Sequence, residues 1–380
     1  MNIYLDNAAT TALDPEVIEE MLRYMQEDFG NPSSTHAFGR KTRAAIDLGR
    51  RRVANHINAE PGEVIFTSGG TEADNMAIHC SVNDLGVKHI ITSEIEHHAV
   101  LYPVEDLAKA GRVKMSLVNI DQKGRIDLEH LEQLLAESKE KTLVTLMHAN
   151  NEIGTLLPLK EVSALCRQYG AYLHSDTVQT IAHYPLDVRE LDIDFITCAA
   201  HKFHGPKGVG FLFINNKVKI NPMIRGGGQE RNMRAGTENV YGIMGLVKAL
   251  DLAYAHLEEH RAHIEGLRSY MMSRLKEEMP GTLFNGDVEG DSLYTVLNVA
   301  LPASDKSETL LFNLDIEGIS VSGGSACSSG SNIGSHVANA LNLPSDQPVV
   351  RFSFSKFNTK EEIDRTIETL KRIYDLPVVA

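Results

Sequence analysis

From about residue 60 to residue 215 the chain alternates short apolar runs with stretches of helical period. Residues 63–67 (EVIFT), 89–92 (HIIT), 143–148 (LVTLMH), 171–175 (AYLHS), 195–199 (FITCA) and 210–214 (GFLFI) are rich in apolar and β-branched side chains. That is the pattern of strands covered on both faces. Between them, residues 72–82, 100–110, 128–138 and 159–169 read as helices. The alternation predicts an α/β fold, with a mainly parallel sheet covered by helices on both sides. Ligands of such sheets bind beyond the C-terminal ends of the strands. From residue 240 to about 279 a helical pattern runs with one possible break, long enough to bridge two domains. Further strands are expected at 293–299 and 349–354, and a last helix opens on the capping box Thr359-x-x-Glu362.

Composition narrows the class. With 380 residues, 42% hydrophobic and 23% charged, the chain has material for two domains and a large core. Its formal charge of −14 speaks against non-specific binding to nucleic acid or an anionic membrane. The start, MNIYLDNAATT, lacks the basic and apolar regions of a signal peptide, and no run reaches the roughly 18 apolar residues of a membrane span. Four scattered cysteines form no C-x-x-C pair, which fits a reducing cytoplasm rather than a disulfide framework. Cys80, Cys166 and Cys198 sit in apolar surroundings and read as core residues.

Cys327 differs. It lies in residues 318–336, GISVSGGSACSSGSNIGSH, with five glycines and seven serines. Such a segment buries too little apolar surface to offset its ordering entropy, so a mobile loop carrying a thiol is expected, although a flexible surface turn with an incidental cysteine reads equally well from the loop alone. Upstream, EVIFTSGGTEADN reads as strand, Gly-Gly turn and helix. Its helix N-terminus suits an anion such as phosphate, although a plain strand-to-helix turn reads equally well. Asp176 closes an apolar strand, with Gln179 three residues on; the plainer alternative is a helix cap or an ion pair. Lys202 follows another buried strand, a candidate position for a lowered pKa and a Schiff base, although such a strand end taken alone more commonly carries an exposed loop lysine. Phosphate turn, strand-end aspartate and strand-end lysine together meet the needs of pyridoxal phosphate.

The segments LDNAATT, GNPSSTH, TSGGTEADN, SEIEHHAV, MHANNEIG, HSDTVQ, AHKFHGPKGVG, GGGQERNMRAGTEN, SGGSACSSGS and RFSFSKFNTKEEID resemble, in that order, the cysteine desulfurases of the NifS/IscS type. The likeness spans nearly the whole chain and belongs to the long-cysteine-loop group of the class-V aminotransferases. It implies the fold type I, aspartate-aminotransferase-like architecture of pyridoxal 5'-phosphate enzymes, with a seven-stranded-type sheet and a smaller α+β domain. Residues 15–258 would form the large domain; residues 1–14 and 259–380 the small one, carrying the cysteine loop 318–336. The implied enzyme is a homodimer that converts L-cysteine to L-alanine and leaves sulfur on Cys327 as a persulfide. An iron–sulfur scaffold or another sulfur-acceptor protein would then receive it.

Carried over by residue, the resemblance gives Lys202 the Schiff-base linkage and Asp176 the ring nitrogen. Gln179 would bond the phenolic oxygen, and His97 would stack on the ring and take part in proton transfer, with no such role for His98. Asn151 would lie by the cofactor oxygen and the substrate carboxylate, which Arg351 would clamp. Gly70, Thr71 and His201 would hold the phosphate, joined by Thr237 of the other subunit. Ala199 departs from the family: a phosphate-binding serine usually stands there, and its missing hydrogen bond is worth ~1–3 kcal/mol. The 16 histidines lack zinc-type spacing, so no metal is expected. Other readings are a selenocysteine or cystine lyase, and a non-catalytic sulfur carrier on the same fold.

Overall fold

The computed structural model describes residues 2–323, 335–344 and 346–377; Cys327, with the rest of 324–334, lies outside the described residues. In chain order the strands are β1 (Ile3–Tyr4), β2 (Val64–Thr67), β3 (His89–Thr92), β4 (Lys114–Leu117), β5 (Thr142–Thr145) and β6 (Tyr172–Asp176). They continue with β7 (Phe195–Ala199), β8 (Gly210–Ile214), β9 (Leu283–Asn285), β10 (Val296–Ala300), β11 (Ile319–Ser320) and β12 (Val349–Ser353). The helices are α1 (Pro15–Gln26), α2 (Ala37–His56), α3 (Gly70–Asp84), α4 (His98–Lys109), α5 (Leu128–Glu137) and α6 (Leu159–Gln168). After them come α7 (Val240–Ala255), α8 (Leu257–Glu278), α9 (Leu310–Ile316), α10 (His336–Ala340) and α11 (Lys360–Ile373).

The central sheet runs β2-β8-β7-β6-β5-β3-β4, parallel except for β8, which is antiparallel to both its neighbours. Successive side chains leave a strand on opposite faces, so each strand feeds two cores. Ile91, Val144, Leu173 and Ile196 pack with α2, α6 and α7, while Ile90, Leu143 and Phe195 pack with α3 and α4. This double coverage is why the strands read as apolar runs rather than as alternation. The one helical pattern at 240–279 resolves into α7 and α8, broken at His256. A third core, around Leu297, Val299, Phe352 and Ile367, joins the antiparallel sheet β12-β10-β9 to α8 and α11. The capping box at Thr359 and Glu362 is present at the start of α11.

Several elements, α1 and the short β1, β9, β11, α9 and α10 among them, went unread in the sequence, and for two others, α2 and β4, the physical reason is plain. Helix α2 buries Gly39, Thr42, Gly49 and Arg50 among its apolar residues, so no apolar stripe marks it. Arg50 is accommodated because Glu230 takes both ends of its guanidinium, at 2.6 and 2.8 Å. Strand β4 is an edge strand with exposed Lys114 and Leu117, and its short polar sequence gives no buried-strand signal.

Candidate active site

Parallel strands deliver their C-terminal ends to one edge of the sheet, and the predicted residues meet there. Strand β7 runs into a single 3-10 turn, Ala200–Lys202, that carries Lys202 over the edge. Its Nζ donates to the carbonyls of Ala8 (2.6 Å) and Ala9 (2.8 Å), which belong to the segment after β1. That segment is stitched to the turn: Thr11 donates from N and Oγ1 to His201 O, and His204 N donates to Thr11 Oγ1. Asp176 ends β6 and accepts from Val178 N at 2.9 Å. Helix α3 begins at Gly70, after Gly69 in the positive-φ region. A Cβ on Gly70 would stand 2.9 Å from Val178 Cγ2, so a side chain there would crowd the strand-to-helix turn.

Lys202, Asp176 and Gly70, with Thr71, Asp74, His97, Asn151, Gln179, Ala199, His201 and Arg351, line one cavity of about 220 Å³. Burial, reinforced by the neighbouring Asp74 carboxylate, pushes Asp176 up to about 7. Asp74 is pushed up to about 7 by its own burial. Beside it His174 sits fully buried, its Nδ1 paired with Thr145 Oγ1 at 2.8 Å and its Nε2 with Thr197 Oγ1 at 3.1 Å. A protonated ring nitrogen presented to Asp176 would offset this crowding of negative charge. His97 caps α4: its Nδ1 accepts from Ala99 N at 3.1 Å, which assigns the ring proton to Nε2. Burial, then the charge of Lys202, holds His97 down at about 4, so it is neutral at pH 7 and suited to stack on a ring. Gly70 and Thr71 at the start of α3 line the same cavity as Asp176 and Lys202. This donor set fits pyridoxal phosphate.

Arg351 is 1% exposed and yet only partly satisfied. Its Nη1 donates to Asn151 O and its Nη2 to Asp6 Oδ1, both at 2.9 Å, while the buried Nε has no partner among the described residues. A buried guanidinium N–H without an acceptor, on a residue lining the cavity, suits a carboxylate ligand.

Most of the predicted residues thus share one cavity. Gln179 is among them, and its Nε2 donates to Ala8 O at 3.1 Å. Ala199 also reaches the wall. Thr237 is exposed and lies instead among Ser68, Gly208, Arg234 and Glu238. Cys80, Cys166 and Cys198 are buried, as their surroundings foretold. Sequence reasoning missed Asp74, Asp6 and the carbonyls of Ala8 and Ala9. Asp74 left one trace: a carboxylate amid the apolar residues of α3.

The class-V aminotransferase family model matches residues 3–366, and the chain belongs to that family. Its enzymes depend on pyridoxal phosphate. The chain is 44% identical over 377 residues to the cysteine desulfurase IscS of Dictyoglomus turgidum, a match covering 98% of this chain and 94% of that one. Among solved structures, a NifS-like protein superposes with a TM-score of 0.90 at 36% identity, covering 99% of this chain and all of its own. The NifS-like protein of Rickettsia africae gives 0.89 at 31%, with the same coverage.

Two outcomes follow from the electrostatics. Asp176→Asn removes a buried carboxylate that costs stability at pH 7 when no cofactor faces it. The cofactor-free variant is therefore expected to melt higher than the parent, and the loaded variant lower. Cofactor affinity should drop about tenfold or more for the lost charged hydrogen bond. Melting curves with and without cofactor check this reversal of sign.

The second outcome concerns acid. His97, His148, His174, His183, His201 and His204 are each held down at about 4, mainly by burial. An unfolded chain binds their protons from about pH 6.5 downward, so their contribution is lost as pH falls from there towards 4. Asp74 and Asp176, pushed up to about 7, and Glu96, pushed well above the usual carboxylate range by burial, act oppositely, losing stability as pH rises towards their raised values. Six groups outweigh three. The cofactor-free protein should melt lower at pH 5 than at pH 7, and a higher melting temperature at pH 5 would contradict this balance.

Proposed function

We propose that the chain is a cysteine desulfurase, turning L-cysteine into L-alanine and retaining the sulfur on Cys327. The observation that carries this reading is the one cavity joining Lys202, Asp176, the start of α3 and Arg351, whose Nε has no partner among the described residues. When bound, pyridoxal phosphate supplies a sink for the electron pair left at the substrate Cα. Lys202 carries the cofactor and later acts at Nζ as the base for the Cα proton. Asp176 would keep the ring nitrogen protonated, and Gln179 and Asn151 would bind the ring's oxygen. Gly70, Thr71 and His201 hold the phosphate. Arg351 would receive the substrate carboxylate, and His97 would stack on the ring and move a proton at Nε2. The Cys327 thiolate then attacks the substrate sulfur. An S–S bond forms, the Cβ–S bond breaks, and its electron pair stays on carbon and takes a proton, giving alanine.

The same reading includes a homodimer. Ile18, Leu22, Met25, Phe29 and Phe38 are exposed apolar side chains on or beside α1 and α2, a surface suited to a second copy. Thr237 does not line its own chain's cavity, which leaves it available to the partner's phosphate. Residues 15–258 form the large domain, the rest the small one, and the setting is the cytoplasm. An iron–sulfur scaffold or another carrier takes the sulfur.

Anaerobic turnover of sulfur-labelled L-cysteine tests the reading. One alanine should appear for each sulfur, and peptide mapping should place the first label on Cys327. Alanine formation without label on Cys327 would overturn the sulfur route; no alanine from the loaded enzyme would overturn the activity.

A further inference from the structure

Asp6 lies just after β1, outside the residues that touch the cofactor cavity, and its backbone is woven between two strands. Leu5 N donates to Ser320 O, and Ser353 N donates to Leu5 O at 2.7 Å. One carboxylate oxygen, Oδ1, accepts from Arg351 Nη2 at 2.9 Å and from Ser322 Oγ at 2.8 Å. Ser322 and Arg351 also exchange backbone bonds in both directions. Asn151 O holds the other guanidinium nitrogen, so Asp6 and Asn151 between them fix the plane of the fork. What remains is Nε, buried and without a partner among the described residues.

We propose that Asp6 is the positioning residue for substrate-carboxylate recognition: its Oδ1 sets the rotation of the Arg351 fork and ties to it Ser322, five residues before Cys327. This rests on the reading of Arg351 as the carboxylate clamp. A guanidinium on a long side chain has many rotamers, and two fixed acceptors on its outer edge leave one orientation for the inner edge. The substrate then meets a fork already aimed, without an ordering cost at binding. The role is hydrogen-bonded orientation, so an amide oxygen in the same place should serve almost as well as the carboxylate.

The test uses the loaded enzyme. Asp6→Ala should raise KM for L-cysteine about tenfold or more, the cost of a lost charged hydrogen bond, with kcat within about threefold of the parent. Asp6→Asn should restore KM to within about threefold, because its oxygen accepts the same two bonds. Binding of cysteamine, which has the amine and thiol but no carboxylate, should be unchanged in both variants when followed by the cofactor's visible absorbance. Ser322→Ala should leave KM within about twofold, since the Arg351–Asp6 bond persists. Equal loss of cysteamine and cysteine binding in Asp6→Ala would overturn the proposal, as would a KM rise in Ser322→Ala matching that of Asp6→Ala. If Asp6→Ala folds poorly, Asp6→Asn decides alone: a tenfold rise in its KM overturns the hydrogen-bonding role. Arg351→Lys separates the two layers. A normal KM there defeats the clamp reading itself, whereas a raised KM there beside a normal one in Asp6→Ala defeats only the role of Asp6.

Discussion

Lys202→Ala is expected to yield a folded, colour-poor protein whose turnover of L-cysteine falls by roughly 10³-fold or more. Two separate functions are lost at one atom. On the proposed reading, Nζ would anchor the cofactor covalently and, once released, serve as the base for the substrate Cα proton. No neighbour replaces it in the second role. His97 is neutral with its Nδ1 engaged by the Ala99 amide, and His201 is likewise held down at about 4 by burial. The fold should survive, because Lys202 is only half-buried and the acceptors of its Nζ include the backbone carbonyls of Ala8 and Ala9, which remain in the variant. Borohydride reduction followed by intact-mass measurement checks the anchor: the parent gains the mass of one cofactor and the variant does not. Covalent capture in the variant at another lysine would show that the strand-end position is not what selects Lys202.

Legibility in the sequence tracked how local each signal was. Most strands of the central sheet announced themselves because burial on both faces leaves few polar side chains, and their ends then marked Asp176 and Lys202. Gly70 was legible for a similar reason, since a Gly-Gly pair between strand and helix signals an anion-sized turn. Helix α2 stayed hidden because part of its buried face is Gly39, Thr42, Gly49 and Arg50, and the burial of Arg50 depends on Glu230 far along the chain. Asp6 and the Ala8 and Ala9 carbonyls were hidden likewise. Ala8 meets Lys202 across 194 positions, through a backbone atom that every residue type possesses. Ligand groups supplied by backbone carry no letter in the sequence. The family resemblance supplied roles for side chains but not for these supports.

Cys327→Ala should abolish persulfide formation, with sulfide release from L-cysteine falling by about 10³-fold or more, although the cofactor still binds and its spectrum still responds to substrate. The argument rests on what the other thiols cannot do. Burial pushes Cys80 and Cys166 up to about 12, and Cys198 well above the ordinary thiol value. At neutral pH their thiolate fractions are negligible, and all three are buried. Only a thiolate attacks sulfur, so none of them substitutes for Cys327. The converse variant is as informative: replacing Cys80, Cys166 and Cys198 together by serine or alanine should cost stability but spare turnover per folded molecule. Cys198, fully buried in β7, is the most sensitive of these, and alanine suits its apolar setting better than serine. Retention of sulfur on the protein in Cys327→Ala, located by peptide mapping at one of the three buried cysteines, would defeat both the assignment of Cys327 and the burial argument that isolates it.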